Sequence, residues 1–320
     1  MPALRDHNSL SRVAVIGAGL IGAGWATQYL QAGFEVAAWD PARGWRDRLC
    51  NQVRNALARL QVEPVRQAAL LQNMEFAGSC EEAVAGADFV QESGPEDADI
   101  KRSLLARACA AAPADVVIAS STSGLSMTDL QARCTAPSRL AVGHPFNPVY
   151  LMPLVEVAGG RHTSAEVIDW LAGFYRGMGK EAIVCRSENM GFIANRLQEA
   201  LFREALHMVA AGDATVHQID KAVCSGPGFR WAFMGPFLTY HAAGGRGGMR
   251  AFFESFGETL SQPYSRLSAP ALNRSLRDQV IRACDAAYGR FSMEEIDEWR
   301  DSNLQVLKAG LRPNPGAPEG

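Results

Sequence analysis

From residue 12 to about 185, short runs of β-branched and apolar residues alternate with longer stretches whose apolar positions recur at helical spacing. That rhythm predicts βαβ units around a parallel sheet. The predicted strands are Val13 to Ile16, Glu35 to Trp39, Asp88 to Gln91, Val116 to Ala119, Leu140 to Gly143, Leu154 to Val157 and Ala182 to Val184. Beyond Asn189 the strand signal ends, and Ile193, Leu197, Ala200, Leu201, Ala205 and Met208 follow a helical period. Glycines and prolines near 226–236 and 244–248 break the helical stretches that follow. The expected organisation is a doubly wound α/β domain over residues 1–187 and a smaller all-helical domain over 188–310. The last ten residues, 311–320, hold three prolines and two glycines and are expected to be a flexible tail.

Composition narrows the function classes. A chain of 320 residues suits two domains of ordinary size. With 48% hydrophobic and 20% charged residues it can bury a core, which excludes disorder as its main state. Thirty-one basic against 34 acidic residues give a net charge of -3, a poor match to a phosphate-neutralising surface, so nucleic acid is not an expected partner. No apolar run has the length of a membrane span, and residues 1–10 lack the apolar core of a signal peptide, so the sequence predicts a cytoplasmic protein. The seven cysteines are scattered without a C-x-x-C pair, and reduced thiols with no metal are expected.

The first chemical signal is a glycine turn. Gly17, Gly19 and Gly22 form G-x-G-x-x-G directly after the first strand, at the head of a helix ending near Gly33. Gly17 would make the tight turn, Gly19 would let the backbone approach a pyrophosphate, and Gly22 would let helix and strand pack closely. Leu20 and Ile21 complete this cofactor-binding turn. The second strand leads to Asp40, 18 residues beyond Gly22. A carboxylate there can accept hydrogen bonds from both ribose hydroxyls and repel a 2′-phosphate, which predicts NAD rather than NADP.

Three further segments sit at strand ends, where ligands of open α/β sheets bind. Ser120 to Ser123 either face the nicotinamide or satisfy their own turn. Gln91 to Glu96 either line the nicotinamide pocket or form a solvated acidic loop. The third segment runs from His144 to Pro148, and Glu156 follows twelve residues after the histidine, between Val155 and Val157. A carboxylate in an apolar strand costs roughly several kcal/mol unless it has a cationic or protonatable partner. Paired with Glu156, His144 could take the proton of an alcohol, the carboxylate fixing the imidazole tautomer. The alternative is a structural histidine before proline and a glutamate on a strand edge.

Four elements in order, the glycine turn, Thr122-Ser123, His144 to Pro148 with Glu156, and Gly191 to Leu197 containing Asn195, resemble the 3-hydroxyacyl-CoA dehydrogenase superfamily over roughly residues 12–300. The resemblance implies a catalytic set of Ser123, His144, Glu156 and Asn195. His144 would accept the hydroxyl proton and Glu156 would hold its ring. Ser123 would hydrogen-bond the reacting oxygen, and Asn195 would position substrate and nicotinamide. Glu96 and Lys101 match the superfamily's acidic and lysine contacts to the cofactor. Superfamily members commonly carry Asn at the position of Ser121, where a further cofactor contact is expected. The resemblance also implies a Rossmann-like first domain and a helical second domain through which a homodimer forms.

Within the superfamily, acyl-CoA members usually have a Lys-rich helical hairpin after the second strand. Residues 41–73 here hold six Arg and no Lys, which weakens a CoA reading without excluding it, since Arg binds phosphate. Segments 121–125, 143–160, 229–240 and 242–253 are similar to the L-carnitine-oxidising branch, and less completely to the gulonate 3-dehydrogenase and lambda-crystallin branch. Such a substrate calls for an aromatic wall against its trimethylammonium arm and a cation for its carboxylate. Phe146, Tyr150, Phe192, Trp231, Phe233 and Tyr240 are candidates for the wall, and Arg230 for the cation. Core packing and a surface salt bridge are the respective alternatives. The expected function is therefore NAD-dependent oxidation of a small L-3-hydroxy acid, L-carnitine to 3-dehydrocarnitine first. A 3-hydroxyacyl-CoA dehydrogenase and a non-catalytic NAD-binding structural protein are its rivals.

Overall fold

The computed structural model describes residues 3–310 except 262–264, 266–267, 269–270 and 272. The expected tail at 311–320 lies outside the described residues. The chain divides into two compact units, Met1–Arg196 and Leu197–Gly320.

In the first unit strands and helices alternate as β1 (Arg12–Ile16), α1 (Leu20–Gln31), β2 (Glu35–Trp39), α2 (Trp45–Arg59), α3 (Pro64–Gln72), β3 (Met74–Phe76), α4 (Cys80–Ala85), β4 (Phe89–Glu92), α5 (Ala98–Ala111), β5 (Val117–Ser120), α6 (Met127–Leu130), β6 (Leu140–Pro145), β7 (Leu154–Gly159), α7 (Ala165–Gly177) and β8 (Glu181–Val184). The eight strands form one sheet in the order β3-β2-β1-β4-β5-β6-β7-β8. Its first six members are parallel and follow the doubly wound order of dinucleotide-binding folds. Alternate residues of β1 enter opposite cores: Val13 and Val15 pack with Trp25, Tyr29 and Tyr175, while Ala14 and Ile16 pack with Val84, Leu104 and Leu105. The period of two in a strand buried on both faces explains this division.

The sheet departs from the expected all-parallel arrangement. β7 runs antiparallel to β6, and β8 runs parallel to β7. Residues 146–153, which join β6 to β7, are too few for a parallel crossover, which takes about a dozen residues or more. β3 was not expected either. It has three residues at the sheet edge, of which only Met74 is buried, too short a pattern to read as a strand.

The second unit is helical, as expected. α8 (Ala194–Ala211) leads into it and is followed by α9 (Val216–Ser225), α10 (Pro227–Trp231), α11 (Pro236–Ala243), α12 (Gly248–Ser261), α13 (Arg274–Tyr288) and α14 (Met293–Gly310). Thr215 and Gln218 close a capping box at the head of α9. Pro227 and Pro236 stand in the first turns of α10 and α11, which is where a missing N–H costs nothing. Among the described residues no helix is long and apolar enough to cross a membrane.

Candidate active site

β1 ends in a turn built for glycine. Gly17 has φ +99°, and a Cβ there would lie 2.5 Å from the Ser93 carbonyl oxygen. A Cβ at Gly22 would stand 1.8 Å from the Gly17 oxygen, so α1 could not close on the turn. A Cβ at Gly19 would meet nothing within 4 Å, and Gly19 caps α1 without a side-chain hydrogen bond. This open face over free helix N–H groups fits a dinucleotide pyrophosphate. Leu20 is exposed on the same turn and Ile21 half-buried.

Asp40 follows β2 and braces this turn. Its Oδ2 accepts the Ala18 N–H and its Oδ1 the Ala42 N–H, both at 2.8 Å. Each oxygen retains a lone pair, so the carboxylate keeps acceptor capacity for ribose hydroxyls. Beside it opens a cleft of about 520 Å³ whose walls include Gly17, Trp39, Pro41, Ile100, Leu104 and Arg107, a shape and polarity suited to an adenine. Arg107 lies over the Trp39 ring at 5.1 Å and grips Glu81 with two bonds of 2.7 and 2.9 Å. That grip lowers the Glu81 carboxyl to about 2.

The ends of β4 and β5 carry a buried ion pair. Lys101 Nζ, 1% exposed, donates to Glu92 Oε1 at 2.9 Å and Oε2 at 3.1 Å, and to the Gly94 carbonyl at 3.1 Å. Ser120 donates to the same Glu92 carboxylate. Lys101 is thus enclosed by protein. Glu96 turns toward Thr122, Ser123 and Gly124. Burial pushes its carboxyl up, but the Thr122 hydroxyl, the Lys101 charge and the two N–H groups outweigh it and hold it below the ordinary value.

Ser121 is committed elsewhere. Its Oγ accepts from Trp25 Nε1 at 3.1 Å and Gln91 Nε2 at 2.9 Å, which fills both lone pairs. Its proton therefore goes to Ser93 Oγ, 2.9 Å away. Tyr29 and Tyr175 donate to Gln91 Oε1 at 3.0 and 2.6 Å and complete this network. Ser121 thus ties α1 to the sheet. Sequence reasoning missed Glu92, Gln91 and Ser93 as individuals. An acid two residues after Val90 at a strand end, with a lysine nine residues on, was the signal for the first.

His144 and Glu156 meet. In the β6–β7 register they are direct partners, and Nδ1 lies 2.8 Å from Glu156 Oε2. The carboxylate can only accept, so Nδ1 carries the proton and Nε2 is the acceptor of the neutral ring. Glu156, fully buried, takes the Ile193 and Ala194 N–H groups on Oε1 at 2.9 and 3.0 Å. Burial raises its carboxyl, but hydrogen bonds from His144, Ala194 and Ile193 prevail and hold it below the ordinary value. The same two amides begin α8, so one carboxylate steers the imidazole and anchors the turn bearing Asn195. Gly191 at φ +76° and Phe192 at φ +45° bend the chain into that helix. Phe146 meets the His144 ring edge-on at 5.0 Å and is half-buried, whereas Tyr150 and Phe192 are buried. Arg230, Trp231, Phe233 and Tyr240 lie in the second unit, all exposed.

A glycine turn fitted to a pyrophosphate, an acid placed for ribose, and an imidazole steered by a buried carboxylate define a nicotinamide-dinucleotide-dependent dehydrogenase acting on a CH–OH group. Residues 12–188 match the family model of the 3-hydroxyacyl-CoA dehydrogenase NAD binding domain, and residues 191–277 that of the C-terminal domain. An L-carnitine dehydrogenase of Streptomyces coelicolor is 50% identical over 313 residues, 98% of this chain and 98% of that protein. Among solved structures, a 5-formyl-3-hydroxy-2-methylpyridine 4-carboxylic acid 5-dehydrogenase, an NAD+-dependent dismutase, superposes with a TM-score of 0.76 at 25% identity, covering 94% of this chain and 97% of that one. An (S)-3-hydroxybutyryl-CoA dehydrogenase from Ralstonia eutropha gives a TM-score of 0.64 at 26% identity, covering 86% and 94%. The chain belongs to the 3-hydroxyacyl-CoA dehydrogenase family, and its first unit is an NAD-binding domain.

Proposed function

We propose that the chain oxidises L-carnitine to 3-dehydrocarnitine, with His144 as the base that removes the hydroxyl proton. Bound NAD supplies the hydride acceptor. Gly17, Gly19, Gly22 and Asp40 hold the dinucleotide, with the cleft beside Trp39 taking its adenine. His144 Nε2 accepts the alcohol proton, and Glu156 fixes the ring and balances the imidazolium charge. Ser123 hydrogen-bonds the reacting oxygen. Asn195 positions the substrate from the first turn of α8, while Phe146 offers a half-exposed aromatic face to the trimethylammonium group.

The observation that carries the chemistry is the 2.8 Å bond between His144 Nδ1 and the buried Glu156. The choice of substrate is supported by the near full-length similarity to L-carnitine dehydrogenases. The large exposed apolar side chains of the second unit, Phe202, Phe237 and Trp299 among them, support a homodimer formed through that unit. Seven free cysteines suit a reducing, cytoplasmic setting. NADH formation is to be followed with L-carnitine, L-gulonate, 3-hydroxybutyrate and a 3-hydroxybutyryl-CoA thioester. Turnover of L-carnitine well above the others is expected, and preference for the thioester would overturn the substrate assignment.

A further inference from the structure

Glu96 sits in the loop between β4 and α5 with its carboxylate against the turn that follows β5. Its Oε1 receives four donors: Thr122 Oγ1 at 2.7 Å, the Ser123 N–H at 2.8 Å, the Gly124 N–H at 3.0 Å and the Ser123 hydroxyl at 3.1 Å. Its Oε2 faces Lys101 Nζ at 3.7 Å, and Lys101 is pinned in turn by Glu92 and Gly94. Both oxygens are therefore directed at protein, although the side chain is 41% exposed.

A carboxylate oxygen has about two lone pairs, so four donors on one oxygen share them. The Ser123 hydroxyl is the longest of the four bonds. The two amides and Thr122 set the backbone of the turn, and Thr122 Oγ1 also accepts the Leu125 N–H at 3.0 Å. The hydroxyl is the donor that can leave at least cost, because the carboxylate stays hydrogen-bonded without it.

We propose that Glu96 is a positioning residue for Ser123: it fixes the turn through its amides and aims the hydroxyl so that it can swing from the carboxylate to the reacting oxygen of the 3-hydroxy acid. The proton stays on Ser123 throughout. This rests on the reading of Ser123 as the hydrogen-bond partner of that oxygen, and it gives Glu96 a task other than holding cofactor.

The test combines Glu96→Ala, Ser123→Ala and the double variant in the full chain. The readouts are kcat, NADH affinity by fluorescence, and amide hydrogen exchange over residues 119–127. Misplacing a reacting group by about 1 Å costs about 100-fold, so Glu96→Ala should lower kcat to about that extent. NADH affinity should change by less than about threefold, and the double variant should fall within about threefold of Ser123→Ala. Exchange at the Ser123 and Gly124 amides should rise in Glu96→Ala. Glu96→Gln, whose amide oxygen still accepts, should recover part of the kcat, and it replaces the alanine variant should that one not fold. A loss of NADH affinity in step with activity, kcat losses that multiply in the double variant, or unaltered exchange would each overturn the proposal. Kinetics are run with whichever 3-hydroxy acid the wild type oxidises. The exchange arm needs no substrate, so failure of the L-carnitine assignment is seen separately.

Discussion

His144 and Glu156 stand directly opposite each other across the antiparallel β6–β7 pair, and their side chains close the pair with a 2.8 Å bond from Nδ1 to Oε2. Their spacing of twelve residues is set by that register. A reversal of the chain over residues 146–153 returns it to the same sheet, so that a strand end and a buried carboxylate face each other. Gly143, just before the histidine, leaves room for Tyr175 against the strand: a Cβ there would lie 2.0 Å from the Tyr175 hydroxyl oxygen. Position and tautomer of the imidazole thus follow from strand pairing.

Glu156→Gln should lower kcat by about 10²–10⁴-fold, because an amide neither fixes the Nδ1–H tautomer as firmly nor balances an imidazolium. It should also change acid stability. The folded-state carboxyl lies below its ordinary value, so the folded state favours the ionised form. That contribution is complete above the unfolded pKa and is lost as pH falls through the folded one. Denaturation midpoints taken below about pH 5 should fall more steeply for wild type than for Glu156→Gln. Parallel profiles would contradict the assignment.

Asp40→Ala removes both the proposed ribose acceptor and the brace on Ala18. Hydrogen bonds to charged groups contribute about 1.5–3 kcal/mol, so NAD+ affinity should weaken about 10- to 100-fold and discrimination against NADP+ should narrow. Parallel titrations of the two cofactors test this. An unchanged ratio would remove Asp40 from cofactor choice.

Lys101→Met leaves Glu92 buried without its cation. Breaking a buried pair in this way costs about 3–5 kcal/mol, which should appear as a clear drop in melting temperature. Lys101→Met combined with Glu92→Leu should recover part of the loss, since an apolar pair carries no unmatched charge. A single variant as stable as wild type would show the pair to be unimportant to the fold.

Much of this was legible in the sequence because the signals were local. The glycine turn, the helix behind it and Asp40 occupy one continuous stretch, and their geometry needs only absent side chains and a strand length. The pairing of His144 with Glu156 was legible for a different reason: an acid between valines demands a partner. Glu92 stands between Gln91 and Ser93 rather than between valines, so no pattern marked it as an acid in need of a partner, and Lys101, five residues after Glu96, matched a cofactor contact instead of the buried counter-charge of Glu92. The network through Ser121, Gln91, Trp25 and two tyrosines hydrogen-bonds residues up to 96 apart in sequence. No spacing rule reaches that far. The antiparallel β7 was not read, although the short link over 146–153 rules out a parallel crossover, and β3 left almost no pattern in three residues.

That the His144 imidazole removes the alcohol proton while taking no part in holding cofactor is the proposal on which the mechanism rests. It is tested most directly by His144→Ala, with NADH formation from the wild-type substrate measured beside NADH affinity. Turnover should fall by at least about 10²–10⁴-fold, affinity should stay close to that of wild type, and free imidazole should restore part of the turnover. Near-normal turnover in that variant would contradict it.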